Sequence, residues 1–281
     1  MCLAAIGSQT GGSILRPAAF CGIVGFKPEF GSVPLTGVVP VSSTLDHLGP
    51  LTRCVDDAKR LFEVMSDQAL PTINLPQIRF GLVREFFFEK ARPAAADFIE
   101  AQVTRLASEL GSLAVMPSPV AIADMHRVHR LIMAVECAQQ HRTALQTQRE
   151  LFGPAVTSLI EEGMQVSPSD YQAARLRARE YTQAWQTQFE SVDVLAMPTT
   201  SGPAPATLKT TGDPRWQSPW SLCGFPAITL PCGLSPEGMP LGLQLVSHSN
   251  ELLLAIAAAV EARLAFTYTP TFRFDSGLDE P

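Results

Sequence analysis

Between residues 55 and 66 the apolar side chains Val55, Ala58, Leu61, Phe62 and Met65 recur at three- and four-residue intervals, with Asp56, Asp57, Lys59 and Arg60 between them. That is the stripe of an amphipathic helix. The period then changes. Ile78 to Val83 is a short apolar run that reads as a strand. Pro93 opens a second helical pattern that runs to about Leu110 and is stopped by Gly111. Residues 122–147 and 169–190 are two long helical stretches, the second preceded by Ser167, Pro168, Ser169 and Asp170, whose side-chain oxygens suit a helix start. Val192 to Pro198, Ala227 to Pro231 and Leu241 to Val246 read as three further strands, and Glu251 to Ala265 as a last helix. Residues 1–50, rich in Gly, Pro and Ser with apolar runs at Ile23–Phe26 and Val38–Val41, are strand-and-turn material. Thr199 to Pro219 reads as a long loop, and the tail from Asp275 as loose. Strands alternate with helices throughout, which predicts an α/β fold.

Composition narrows the class. The chain has 281 residues, 46% hydrophobic and 17% charged, enough apolar surface for one large domain or two small ones. The formal net charge of −6 and the lack of any Lys/Arg run argue against nucleic-acid binding. Cys2, Cys21, Cys54, Cys137, Cys223 and Cys232 include no C-x-x-C pair and are read as buried free thiols in a reducing cytoplasm. Met1 to Ile6 lacks the basic region of a signal peptide. The most apolar later run, Leu252 to Val260, is far shorter than the roughly 20 residues that cross a bilayer. The expectation is a cytoplasmic protein with no nucleic-acid or membrane partner.

The chemistry concentrates near the start, in Gly7-Ser8-Gln9-Thr10-Gly11-Gly12-Ser13-Ile14-Leu15-Arg16-Pro17-Ala18. Gly11 and Gly12 are open to backbone angles closed to other residues and allow close approach of a ligand to the main chain. A turn of this kind aims successive N–H groups into one concavity that holds an oxyanion. Ser13 follows at once, and Pro17 suits the first turn of a short helix ended by Gly22. Gly-Gly-Ser turns are also common as plain loops.

The surrounding residues decide between these. Gly7 to Ala18, continuing through Ala19 to Pro28, closely resembles the amidase-signature family. The resemblance extends through Leu45-Asp46, Gly49 to Arg53 and Val55 to Asp57. It returns at Asp193 to Leu195, Pro198-Thr199, Gly224 to Ala227, Pro231 to Gly233 and Gly238 to Gln244, leaving only about 85–190 generic. It implies a single domain over 1–281 built on a mixed β-sheet flanked by helices, corresponding to the C-terminal two-thirds of the family fold. It implies that Ser13 is the acylating nucleophile and that the amides of Thr10, Gly11, Gly12 and Ser13 form the oxyanion hole. It further implies hydrolysis of a small-molecule amide through an acyl-enzyme, with no metal and no cofactor.

The chain departs from the family in one large respect. The family's serine is activated by a second serine that relays a proton to a neutral lysine; both positions fall before Met1. Lys27 lies in a structural segment of the signature, Lys59 on a solvated helix face, and Lys90 and Lys209 in polar surroundings, so none is read as a replacement base. A homo-oligomer, or a partner that supplies the upstream segment, is left open, as is the alternative of a non-catalytic remnant or half of a split protein. Exposed apolar surface is expected where such a segment would lie. Two smaller departures are Gln9 in place of the usual aspartate, and Arg16 one position late, expected to pair with carboxylates beneath the turn.

Other candidates are weaker. His126 and His129, three apart with Asp124 near and His141 further on, have metal-ligand spacing but read better as a solvated helix face. A triad of Ser13, a histidine and Asp46 lacks any nucleophile-elbow motif. Asp213 lies near, but one residue out of register with, an aspartate that binds glutamine in some relatives. Trp216, Trp220 and Phe225 suit either an acyl pocket or the core.

Overall fold

The computed structural model describes residues 2–266, so the tail from Asp275 lies outside the described residues. Eight strands form one mixed sheet. In chain order they are β1 (Ala5–Gln9), β2 (Val24–Lys27), β3 (His47–Thr52), β4 (Ile78–Leu82), β5 (Gly111–Val115), β6 (Val194–Pro198), β7 (Ala227–Leu234) and β8 (Pro240–Val246). Their order across the sheet is β1-β3-β2-β7-β8-β6-β4-β5, with only β4–β5 and β4–β6 parallel. The helices are α1 (Leu15–Cys21), α2 (Val55–Ser66), α3 (Pro93–Leu110), α4 (Ile122–Thr147), α5 (Pro154–Met164), α6 (Pro168–Gln188), α7 (Ser218–Cys223) and α8 (Asn250–Leu264). This is the α/β class expected from the alternation. The central strands β6 and β8 are buried at every residue, which is why they read as continuous apolar runs. Among the described residues no helix is long and apolar enough to cross a membrane.

Five elements were not visible in the pattern, β3 among them. β1 has no apolar alternation, because Ala5, Ile6 and Ser8 are exposed at the sheet edge; it exists through its five-residue antiparallel ladder with β3. β5 follows α3 without a linker. A Cβ at Gly111 would lie 2.0 Å from the Ile78 carbonyl oxygen, so glycine alone permits the strand to start there. α5 opens at Pro154 and is pressed on α4 at Gly163, where a Cβ would lie 1.9 Å from the Ala134 carbonyl oxygen. α7 starts at the end of the segment read as loop, which ran to Pro219; all six of its residues are buried. Conversely, Val38–Val41 forms no strand. Val39 is 78% exposed, and the N–H groups of Val41 and Ser42 are bound by the Asp46 carboxylate rather than by a neighbouring strand.

The core joins both faces of the sheet through aromatic side chains. Trp220 meets Trp185 edge-on at 5.0 Å and stacks with Phe87 at 5.6 Å. Trp216 donates from Nε1 to the Phe87 carbonyl at 3.0 Å, and Phe225 packs against Phe189 at 5.1 Å. Trp216, Trp220 and Phe225 are therefore core residues. The thiols divide: Cys137, Cys223 and Cys232 are buried, whereas Cys2 and Cys21 are exposed and Cys54 half-buried. The expectation of uniformly buried thiols fails because Cys21 ends the short α1 and Cys2 precedes the edge strand. Apolar exposure does occur beside β1. Leu3 and Val64, 90% and 79% exposed, line an open groove with Ala4 and Leu61.

Lys27 is wholly buried at the end of β2, its ammonium donating to the Pro28 carbonyl at 3.0 Å. Burial, partly opposed by Glu29 and Cys223, pulls its pKa from 10.5 to about 7. The unfolded chain therefore binds more protons than the folded one between these values, and stability rises with pH from about 7 towards 10.5. Lys27→Met should remove that slope and gain up to about 5 kcal/mol near neutrality, as read from urea midpoints across pH. Gly163→Ala should cost at least about 2 kcal/mol by forcing α5 off α4, measurable by urea denaturation.

Candidate functional site

β1 carries the chain to Gln9, which is 1% exposed and turns its side chain back over the residues that follow. Its Oε1 accepts the N–H groups of Ile14 and Leu15 at 3.0 and 3.1 Å. Ile14, the residue flanking α1, has no capping side chain of its own, so Gln9 satisfies the first orphan donors of that helix from outside it. The other end of the Gln9 amide donates to Ser221 Oγ at 3.1 Å. An aspartate has no N–H to make that bond, which gives the departure at position 9 a structural role. α1 then ends at Gly22, in the left-handed conformation.

Residues 10–13 form the turn between β1 and α1. Three successive carbonyls in it are held. Thr10 O accepts from His129 Nε2 at 2.9 Å, Gly11 O from Ser221 Oγ at 3.2 Å, and Gly12 O from the Arg16 N–H at 3.0 Å. The N–H groups of Thr10, Gly11, Gly12 and Ser13 make no hydrogen bond among the described residues. Ser13 is exposed, and its hydroxyl likewise makes none. The glycines serve a purpose other than the one expected. Neither Gly11 nor Gly12 has a positive φ. Instead the turn is pressed on the segment 214–217: a Cβ at Gly12 would lie 2.5 Å from Gln217 Oε1, and one at Gly11 3.4 Å from Pro214 Cβ. Gln217 is itself buried and tied to the Thr199 carbonyl. Absence of a side chain, more than backbone freedom, is what Gly12 requires, whereas a Cβ at Gly11 would make only ordinary contact.

A second network reaches the turn through Asp46. One carboxylate oxygen accepts the Thr10 hydroxyl at 2.5 Å and the other accepts the N–H groups of Val41 and Ser42 at 2.8 and 2.9 Å. Residues 42–44 in turn wrap Glu136 of α4, whose side chain is 1% exposed. Its carboxylate accepts from Ser42 Oγ at 2.5 Å, Thr44 Oγ1 at 2.8 Å, Tyr171 OH at 2.6 Å and Arg175 at 2.9 Å. Burial alone would raise this carboxyl, but the hydrogen bonds from Ser42, Tyr171 and Thr44 outweigh it and hold the pKa below its ordinary value. Thr10 is thus gripped twice, at its carbonyl by His129 and at its hydroxyl by Asp46.

The histidines are corrected by the structure. His129 is 4% exposed, and His126, half-buried, donates from Nε2 to the Arg215 carbonyl at 2.9 Å. Neither lies on a solvated face. Their helix lies against the Gly-Ser turn and the 213–217 segment, so the charged residues around them misled the reading. The signal was present in α4 as the buried stripe Met125, Val128, His129, Ile132, Val135 and Glu136, which places His129 and Glu136 two turns apart on one face. Ser221, just beyond the segment read as loop, carried no such signal. Among the described residues no group of three metal-ligating side chains occurs.

Other predicted residues separate from the turn's chemistry. Asp46 binds Thr10 rather than a histidine, and His47 is buried with Nδ1 donating to the Leu45 carbonyl at 2.7 Å. Lys27 has the lowered pKa that a lysine base needs, yet its ammonium bonds to Pro28 and not to Ser13. Arg16 was expected to meet a carboxylate; its guanidinium donates to Thr211 Oγ1 at 3.1 Å. Asp213 sends its charge towards Arg16 but is itself bound by Arg215 at 2.6 Å.

Burial, partly opposed by the bond to Thr10, lowers the His129 pKa from 6.5 to about 4. His129 is therefore neutral near pH 7, and because a carbonyl only accepts, the proton sits on Nε2. The contribution of neutral His129 to stability is complete above about pH 6.5 and is lost as the pH falls towards 4, amounting to about 3 kcal/mol. His129→Gln should flatten the urea-midpoint profile over that interval while leaving it unchanged above pH 7.

Comparison with known proteins places this arrangement. The sequence is 31% identical to a glutamyl-tRNA(Gln) amidotransferase subunit of Rhodospirillum rubrum, with 97% of this chain and 64% of the relative covered. It is 29% identical to a putative amidase, AmiD, of Mycobacterium bovis, over 92% of this chain and 59% of that protein. The fold matches a crystal structure of an amidase with a TM-score of 0.86 and 31% identity, over 92% of this chain and 62% of that one. The chain thus spans less than two thirds of the length of these relatives. The family profile described as Amidase matches residues 1–251, and the chain belongs to the amidase family, the amidase-signature enzymes.

Proposed function

We propose that the chain carries the acylating half of an amide-hydrolysing site, with Ser13 as nucleophile and the amides of Thr10, Gly11, Gly12 and Ser13 as oxyanion hole. The observation that carries this reading is the turn itself: an exposed hydroxyl beside four N–H groups that make no internal hydrogen bond among the described residues. Ser13 Oγ attacks the carbonyl carbon of a carboxylic amide and loses its proton to a base. The developing oxyanion is taken up by the backbone donors. The amine departs with a proton, and water then cleaves the acyl-serine ester and returns the hydroxyl. No step calls for a metal or an organic cofactor.

The base is the open part of the scheme. Among the described residues no side chain hydrogen-bonds to the Ser13 hydroxyl, so none is placed to take its proton. The resemblance to the family assigns the relay serine and the lysine to a segment preceding this one. The exposed edge of β1 and the apolar groove at Leu3, Leu61 and Val64 support docking of such a segment, from a partner or from a longer form of the chain. The same unassisted hydroxyl favours a second reading, a non-catalytic remnant that keeps the turn without turnover.

The test is hydrolysis of simple aliphatic and aryl amides, with fluorophosphonate labelling followed by peptide mapping. Both are run on the chain alone and on a form carrying a relative's upstream Ser–Lys segment. The supplied segment should raise turnover by several powers of ten, label should map to Ser13, and Ser13→Ala should abolish both. A completed protein that hydrolyses nothing and labels no faster supports the remnant.

A further inference from the structure

A backbone N–H is aimed by the carbonyl at the other end of the same peptide bond. No cis peptide occurs among the described residues, so in each peptide of the turn the C=O and the following N–H point in opposite directions across one rigid plane. Fixing the oxygen fixes the donor. Thr10 O determines where the Gly11 N–H points, and Gly11 O determines where the Gly12 N–H points. One of these oxygens is held by a buried imidazole and the other by a buried hydroxyl, each brought from a distant part of the chain.

We infer that His129 and Ser221 are positioning residues that aim the Gly11 and Gly12 N–H groups into the oxyanion site, an assignment that rests on the nucleophile reading given above. His129 reaches Thr10 O from α4 at 2.9 Å, and Ser221 reaches Gly11 O from α7 at 3.2 Å. Both are anchored. His129 is 4% exposed, and a Cβ at Gly11 would touch its Cε1 at 3.7 Å. Ser221 is fully buried, and its oxygen accepts from Gln9 Nε2 at 3.1 Å, which leaves its one proton for Gly11 O. Without these bonds the Thr10–Gly11 and Gly11–Gly12 planes would be free to rotate, because glycine imposes little restraint of its own. The third plane, Gly12–Ser13, is held within α1's own first turn by the Arg16 N–H. The outer donors of the site are therefore set by tertiary contacts and the inner one by the helix.

The geometry specifies which substitutes work. The contact is made by the distal ring nitrogen, Nε2, whose place the Nε2 of glutamine takes; asparagine offers its amide at the position of Nδ1 and falls short. The experiment takes the chain completed with the upstream Ser–Lys segment and compares it with its His129→Gln, His129→Asn, His129→Ala and Ser221→Ala variants, each checked for an unchanged urea midpoint at pH 7.5. The readout is fluorophosphonate labelling of Ser13, resolved into a saturation constant and a limiting rate. His129→Ala and His129→Asn should lower the limiting rate by about 30- to 100-fold, with the saturation constant within about threefold of the parent. His129→Gln should recover to within about fivefold of the parent rate, and Ser221→Ala should lose about tenfold. Equal rates for the glutamine and asparagine variants, or a loss confined to the saturation constant, would overturn the inference. If the parent form carrying the upstream Ser–Lys segment takes no label at Ser13, the nucleophile reading fails on its own. The positioning role is then read from crystal structures of the parent, His129→Ala and His129→Gln. A Thr10–Gly11 peptide rotated in the alanine variant and restored in the glutamine variant supports the inference; one unmoved in the alanine variant refutes it. Should His129→Ala not fold, the contrast between glutamine and asparagine decides in either readout.

Discussion

The peptide planes of residues 10–12 are the constraint on which the rest of the architecture converges. The oxyanion hole proposed for this turn would be useful only if its backbone donors are fixed before the charge appears, since reorienting them afterwards costs the stabilisation they offer. A turn containing two glycines is a poor material for this. The chain compensates with rigid neighbours: the Gln9 amide, the imidazole of His129, the hydroxyl of Ser221 and the Asp46 carboxylate all bind to the turn or across it. Each comes from a different element, so the turn's geometry summarises the packing of β1, α4, α7 and the loop before β3.

Helix α4 does more in this arrangement than pack against α5, α6 and α7. It presents His129 to Thr10 directly and Glu136 to residues 42–44, whose shape is transmitted through Asp46 to the Thr10 hydroxyl. A buried carboxylate is tolerable only with its oxygens fully occupied, and Glu136 meets that demand with hydroxyl, backbone and guanidinium donors. The same donors lock the loop. The polar network in the core thus reaches a turn at which Ser13 stands exposed between the buried residues Gly11–Gly12 and Ile14–Arg16.

The long regular elements were legible in the chain because their periodicity is local. α2, α3 and α4 begin and end where the stripe, Pro93 and Gly111 indicate. β6, β7 and β8 declare themselves as apolar runs. β1, β5, α5 and α7 were not, since each exists through contact with something remote: the β3 ladder, the close passage of Gly111 over Ile78, Gly163 against Ala134, and burial of α7 beside the tryptophans. The site shows the same division. Ser13 and its glycines were marked by an uninterrupted motif, whereas His129 looked solvated because its neighbours Arg127 and Arg130 are charged.

The sequence by itself determined the fold class, the family and the place of the glycine-rich turn proposed to carry the nucleophile, since hydrophobic period and contiguous motifs are written in adjacent residues. Tertiary structure alone decided what the glycines are for, which side chains hold the turn, and that Lys27 spends its ammonium on Pro28. The contacts that hold the turn join groups more than 100 positions apart, and even the Lys27–Pro28 bond depends on the burial of that ammonium. Hydrogen-bond partnership is a matter of ångströms, and no pattern of neighbours along the backbone encodes it.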